Sequence, residues 1–394
     1  MKVVHFIRDD KFVNGTISFL EEFDFLENSF YILSDEKSFK YISLGTIHTI
    51  SVAQLKDIIS NPESCDVIVI HGLLSLPCKF IQSINKKIKV VWFSLGYDIY
   101  NNTYPQFPLI QIRNMIKPQT LDLTNKIIFY SKRFVKEFLM RALCFNNEER
   151  RAFEPAINRI DYYSGVYPVE YDLMKLNSFF RAKQVSWSYV SPSTKKMYRK
   201  EDIYKDILPK GNYIQVGNNA SIICNHRNVF NILNKLNLDD RKIVVPLSYG
   251  PSKHYIASVC KAGNKCFGDN FVPLMNFMPK DDYISFMSSI SIAIYNTERQ
   301  SAAGNIRMGL WNGTMVFLPE TSIGYSFFRK EGFHVFTIEK DLTQENIDRG
   351  LTEEQIIENR ELLSATTRYD VLKERVFRSF ESIRNDIEEA NYCN

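Results

Sequence analysis

The chain has 394 residues, too long for one ordinary core, and 45% apolar with 24% charged residues describes a folded protein of about two domains. A net charge of +4, from 49 Lys+Arg against 45 Asp+Glu, is too small to imply a nucleic-acid binder with a basic face. Seven cysteines, at 65, 78, 144, 224, 260, 266 and 393, form no C-x-x-C pair, which argues against a disulfide framework and a zinc site and for a reducing compartment.

The N-terminal MKVVHFIRDDKF meets Asp9 and Asp10 before any secretory hydrophobic region forms, so it reads as a first strand. Nowhere do about 18 apolar residues run together, so no membrane-spanning helix is expected. Short β-branched or aromatic runs at 3–7, 30–33, 66–70, 90–93 and 127–130 alternate with helical stretches at 17–25, 52–59 and 132–145. That alternation predicts βαβ units around a parallel sheet. From about 150 to 210 it fades into a segment rich in Tyr, Ser, Pro and Lys, read as a linker region with a helix over 171–181.

Alternation then resumes. Strands are predicted over 213–216, 242–247, 290–295 and 314–318, helices over 228–236, 252–262, 281–289 and 303–311, and a long terminal helix over 370–390. The expectation is therefore an N-terminal Rossmann-like domain over 1–190 and a second over 205–394, ending in the terminal helix; the resemblance described below implies that the first binds an acceptor and the second a nucleotide sugar. Together they make a GT-B class α/β protein, whose ligands lie outside the carboxyl ends of its parallel strands. A nucleotide-sugar-binding protein without transfer activity and a nucleotide-sugar epimerase share this layout and stand as competing readings.

Three stretches of the second half carry chemistry. In YIQVGNNASIICNHRNVF a strand ends at Val216, Gly217 permits a sharp turn, and Asn218, Asn225 and His226 precede a helix. A strand-to-helix junction of this kind makes a natural phosphate site. In SISIAIYNTERQSAAGNIRMGLW the same topology recurs with Glu298, Arg299 and Gln300 in the loop and Gly304 and Asn305 at the helix start. A charge-assisted hydrogen bond contributes about 1.5 to 3 kcal/mol and a helix N-terminus about 0.3 to 1, so Arg299 is the principal phosphate ligand expected. Between them PLSYGP places Tyr249 and Gly250 just beyond a strand, where a base can stack on the ring.

These stretches, with VWFSLGYDIYN in the first half, resemble glycosyltransferase family 56, the TDP-N-acetylfucosamine:lipid II N-acetylfucosaminyltransferases, in matching order over most of the chain. The family's V-G-N-S-G-D-R-S-N-E-H is matched at Gly217, Asn218, Asn225 and His226, with its D-R pair lost. Its V-V-P-M-G-Y is matched at Val244, Val245, Pro246 and Tyr249. Its R-Q-Q-G-I-G-T is matched at Arg299, Gln300 and Gly304, with Ala302 and Asn305 as departures. Its W-x-x-W-G-A-D-L-Y is matched at Trp92, Gly96, Asp98 and Tyr100.

The resemblance implies transfer of a 6-deoxy amino sugar such as N-acetylfucosamine from a TDP or UDP carrier to a polyprenyl-diphosphate-linked glycan, in bacterial surface polysaccharide synthesis. Asp98 is the expected base, with Asp9, Asp10 and His71 as alternatives at neighbouring strand ends. No D-x-D triplet and no metal-ligand cluster occur, so no metal and no other cofactor are expected, with Arg299 and backbone dipoles neutralising the leaving diphosphate. A lipid-linked acceptor places the protein in the cytoplasm, peripheral to the inner face of the plasma membrane. The amphipathic stretch 131–145, apolar at Phe134, Val135, Phe138 and Leu139 and basic at Lys132, Arg133, Lys136 and Arg141, is the expected contact.

Overall fold

The computed structural model describes residues 1–10, 12–34, 39–43, 45–100, 115–117, 119–121, 126–127, 148–187, 189–190, 192–250 and 252–392. The predicted strand over 127–130 and the amphipathic stretch 131–145 fall almost wholly outside them. The described residues form two compact units: one from 1–109, 143–197 and 366–394, the other from 110–142 and 198–365.

The first unit is built on a seven-stranded parallel sheet ordered β3-β2-β1-β4-β5-β6-β7. Its strands are β1 (Lys2–Phe6), β2 (Glu27–Ile32), β3 (Ile47–Thr49), β4 (Val67–His71), β5 (Lys89–Phe93), β6 (Tyr162–Ser164) and β7 (Lys183–Gln184). VIVIH in β4 is buried along its whole length, as a central strand covered on both faces must be. Chain order reverses between β1 and β4, so the crevice at their carboxyl ends is this sheet's topological switch point.

Two expectations need correction here. The segment 150–210 is not a linker, because it holds a helix over Glu148–Arg159 and supplies β6 and β7 to the first sheet. Its tyrosines are the reason: Tyr162 and Tyr163 are buried in β6, where their rings pack as core. The terminal helix, Tyr369–Tyr392, belongs to the first unit and not to the second. Leu372, Val376, Phe380 and Ile383 form one apolar stripe, buried with Trp187, Val190 and Tyr162. Its polar flank is pinned as well, Tyr369 and Lys373 donating to Glu22 at 2.6 and 3.2 Å.

The second unit has a six-stranded parallel sheet ordered β10-β9-β8-β11-β12-β13. Its strands are β8 (Tyr213–Val216), β9 (Ile243–Pro246), β10 (Phe271–Leu274), β11 (Ile290–Ile294), β12 (Met315–Leu318) and β13 (Phe336–Thr337). Here the reversal falls between β8 and β11, so the two polar loops singled out above leave the adjacent strands of a second switch point. Below the sheet Arg360 is buried and donates to the carbonyls of Trp311, Ile203, Lys205 and Asp206, which fixes the chain where it enters this unit.

Phe380→Ala empties a fully buried site in the first unit, at a cost of about 3 to 5 kcal/mol. Urea unfolding followed by the near-ultraviolet signal should show that loss in the transition of the first unit. An unchanged midpoint would place the terminal helix elsewhere.

Candidate functional site

Gly217 leaves β8 at φ +70°, a conformation that glycine adopts without steric cost, and its N–H donates to the Ile294 carbonyl at 2.9 Å. A Cβ there would stand 2.6 Å from His226 Nε2, so no other residue fits this turn. The buried Gln215 amide donates to the Gly217 carbonyl at 2.9 Å and holds the turn from beneath. Asn219 Oδ1 accepts from the Ser221 N–H at 2.8 Å, and the Ala220 N–H donates to the Tyr249 carbonyl at 2.9 Å. Gly250 is required by that approach, since its Cβ would come within 2.6 Å of the Ala220 methyl. The Tyr249 hydroxyl reaches the Asn218 carbonyl at 3.3 Å with the side chain 46% exposed, which leaves the ring over the loop and open to solvent.

The second loop follows β11 and meets the first. The Ser301 hydroxyl lies 3.4 Å from Asn218 Oδ1. Burial pushes the Cys224 thiol up, and the charge of Arg299, in the second loop, acts in the opposite sense. Ala302 takes the left-handed conformation at φ +56° as N-cap of the helix Ala303–Trp311, and no side chain caps that helix. Gly304 is exposed, with nothing within 4 Å of where its Cβ would be. Gln300 and Asn305 are half-buried.

Three of the expected ligands serve the loops from below. Asn225 is fully buried at φ +50°. Its Oδ1 accepts from Lys117 N and the Thr120 hydroxyl at 2.9 and 2.6 Å. Its Nδ2 lies 2.8, 3.0 and 2.9 Å from the carbonyls of Met115, Ile223 and Asn296, which share its two hydrogens. With both polar atoms committed it is a clasp, not a nucleotide ligand. His226 is buried with Nδ1 at 3.0 Å from the Tyr255 hydroxyl, and burial lowers its pKa to about 3, so the ring is neutral and Nε2 is left without a partner behind Gly217. Glu298 pairs with Lys117 at 2.8 Å and accepts from Thr321 at 2.6 Å, which ties the second loop to the segment around Lys117 and to the loop after β12. Sequence reasoning missed Lys117, Thr120, Gln215 and Tyr255, which act only through these contacts and carry no local pattern.

In the first unit the candidate bases separate. Asp9 accepts from the backbone N–H groups of Lys40, Tyr41 and Ile42 at 2.7 to 3.1 Å, which anchors that loop. Asp10 accepts from Phe12 N at 3.1 Å and borders a small pocket beyond β1. Asp98, 2% exposed in the short helix after β5, accepts on Oδ2 from Trp92 Nε1 at 3.1 Å and Leu95 N at 2.9 Å, while Oδ1 has no partner. Burial pushes its pKa up to about 7, with those hydrogen bonds opposing. His71, 4% exposed, lies at the end of β4, where Nε2 is 3.0 Å from His5 Nδ1 and Nδ1 is 3.3 Å from the Tyr189 hydroxyl. Among the described residues no group of three or more His, Cys, Asp or Glu is arranged to hold a metal ion.

Two parallel α/β sheets, each with a switch point at its carboxyl edge, make a two-domain Rossmann-like protein of the GT-B fold, and solved structures share that fold. Anabaena HepE, in complex with UDP and glucose, has a TM-score of 0.60 at 10% identity over 97% of this chain and 99% of its own. The N-terminal domain of Candida albicans trehalose-6-phosphate phosphatase gives 0.59 at 8% over 98% and 96%. A UDP-forming trehalose-phosphate synthase from Burkholderia xenovorans gives 0.57 at 9% over 98% of each chain. No curated protein matches the chain. Residues 165–373, just over half of it, match glycosyl transferase group 56, the 4-alpha-L-fucosyltransferases, and the chain belongs to that family.

The raised Asp98 pKa fixes the sign of one pH effect. Between about pH 4 and pH 7 the folded chain keeps a proton that the unfolded Asp98 has released, so this group's stabilising contribution falls as pH rises through that window and levels above it. His5, His71 and His226 act oppositely, because their lowered values remove stability as pH falls below about 6.5. Subtracting Asp98→Asn from wild type isolates the carboxyl: urea midpoints should diverge against the wild type as pH rises from about 4 to 7. Parallel curves would show an Asp98 of ordinary acidity.

Proposed function

We propose that this protein transfers a 6-deoxy amino sugar such as N-acetylfucosamine from a nucleoside diphosphate carrier, bound on the second unit, to a polyprenyl-diphosphate-linked glycan bound on the first. Membership in a fucosyltransferase family supports nucleotide-sugar glycosyl transfer as the reaction type. The observation that carries the reading is the loop pair after β8 and β11, where the uncapped N-terminus of the helix Ala303–Trp311 and the turn at Gly217 follow adjacent strands of one switch point, with Arg299 in the second loop. Backbone N–H groups and a guanidinium are what a diphosphate requires, and they gain as charge builds on the leaving group. The ring of Tyr249 offers the adjacent surface for a nucleobase.

In this reading the donor diphosphate is neutralised by these groups, without a metal ion. The acceptor is brought by a membrane surface, which the protein meets peripherally from the cytoplasm in surface or capsular polysaccharide assembly. Among the described residues no helix is long and apolar enough to cross a membrane.

Titration calorimetry with UDP and dTDP tests the donor site. Arg299→Ala should weaken binding by about 1.5 to 3 kcal/mol, the scale of one charged hydrogen bond, and excess EDTA should leave wild-type affinity unchanged. Equal affinity in a folded Arg299→Ala protein removes that residue from the site. Loss of binding in EDTA, restored by Mg²⁺, overturns the metal-free reading. Binding of nucleotide with no turnover on any lipid-linked acceptor favours a binding protein, and a new nucleotide sugar formed without acceptor favours an epimerase.

A further inference from the structure

A line of polar side chains crosses the sheet of the first unit toward its switch point. In the parallel register His5 stands opposite Val69 and Phe30. Asn28 on β2, His5 on β1 and His71 on β4 therefore share one face, each two residues further toward the carboxyl end. Asn28 Oδ1 lies 3.0 Å from His5 Nε2, His5 Nδ1 lies 3.0 Å from His71 Nε2, and His71 Nδ1 lies 3.3 Å from the Tyr189 hydroxyl.

The direction of this chain follows from its far end. The Asn28 amide donates from Nδ2 to the Leu20 carbonyl at 3.2 Å, which turns its oxygen toward His5. An oxygen there only accepts, so His5 carries its proton on Nε2 and presents a lone pair on Nδ1. His71 must then donate from Nε2, and its own lone pair is on Nδ1, which accepts from Tyr189. Burial holds both rings neutral.

His71 and Tyr189 border a small pocket at the carboxyl ends of β1, β4 and β5, walled by Ile7, Phe12, Ile17 and Leu95. Asp98 is not among the residues that line it. Phe93 and Trp187 pack edge-on against the His71 ring and fix its plane.

We propose that Tyr189 and His71 together receive the proton of the acceptor hydroxyl, with His5 and Asn28 positioning the His71 ring. The assignment rests on the transfer reading above. As the acceptor oxygen bonds to the anomeric carbon, its proton passes to the Tyr189 oxygen and the Tyr189 proton to His71 Nδ1. The bond from the anomeric carbon to the diphosphate oxygen breaks, and its electron pair leaves with the nucleoside diphosphate. The imidazolium formed keeps its Nε2–H on His5, and its Nδ1 proton returns through Tyr189 to water.

The test takes the full chain, a nucleotide sugar that the wild type cleaves with water as acceptor, and sodium azide, a nucleophile with no proton to lose. In His71→Ala, nucleoside diphosphate release to water should fall on the order of 10²- to 10⁴-fold with donor affinity unchanged. Azide should restore release and yield the glycosyl azide. Azide rescue of Asp98→Ala in place of His71→Ala, or rescue of neither, overturns the proposal.

Nitrogen-15 spectra of the imidazoles check the arrangement without turnover and in the folded wild type. Both His5 and His71 should carry the proton on Nε2, and Tyr189→Phe should shift Nδ1 of His71. A proton on Nδ1 of either ring overturns the assignment. Failure of the transfer reading would instead show as absent UDP and dTDP binding with the imidazole chain intact.

Discussion

The loops after β8 and β11 depend on the side chain of Asn225. From one buried position it meets Lys117 and Thr120 on its oxygen and shares its two amide hydrogens among the carbonyls of Met115, Ile223 and Asn296, which lies two residues beyond β11. Each such bond contributes about 1 kcal/mol net, but a buried donor or acceptor stripped of its partner costs about 1 to 3, so the clasp acts mainly by forbidding alternatives. Its left-handed backbone is one that asparagine tolerates better than most residues. Above it, Gly217 and Gly250 supply close approach where no Cβ fits, and exposed groups gather where buried ones have fixed the backbone.

The first unit uses a different device for the same end. A parallel sheet brings side chains into line on one face at diagonal positions, and three polar residues on adjacent strands there make a directed chain from a backbone carbonyl to a pocket. The chain is costly to bury and therefore fully paired. The Asp98 carboxyl differs: burial weakens its acidity, and the hydrogen bonds from Trp92 and Leu95 on Oδ2 only partly oppose that.

Much of this was legible in the sequence where periodicity acts locally. Strand Tyr213–Val216 and helix Ala303–Trp311 fall where alternation and the small-residue start put them, and Gly217 falls at a turn. The edge strands β7 and β13 were not, because two residues carry no period. The stripe Leu372, Val376, Phe380, Ile383 announces a helix but not the sheet that receives it, a contact between residues more than 180 positions apart. Asn225 and His226 drew notice for their position in a polar loop, and the sequence could not distinguish a clasp from a ligand, since both require the same residue types. The hydrogen-bonded line of Asn28, His5 and His71 requires the strand register, which no single stretch encodes.

The central claim is that nucleoside diphosphate binds at the loops after β8 and β11. Hydrogen exchange read by mass spectrometry, with and without saturating UDP or dTDP, tests it most directly. The account predicts slowed exchange confined to the backbone around 217–221 and 297–306, with the first unit unchanged. Binding accompanied by protection at the β1 and β4 ends, and none at those two loops, would contradict it.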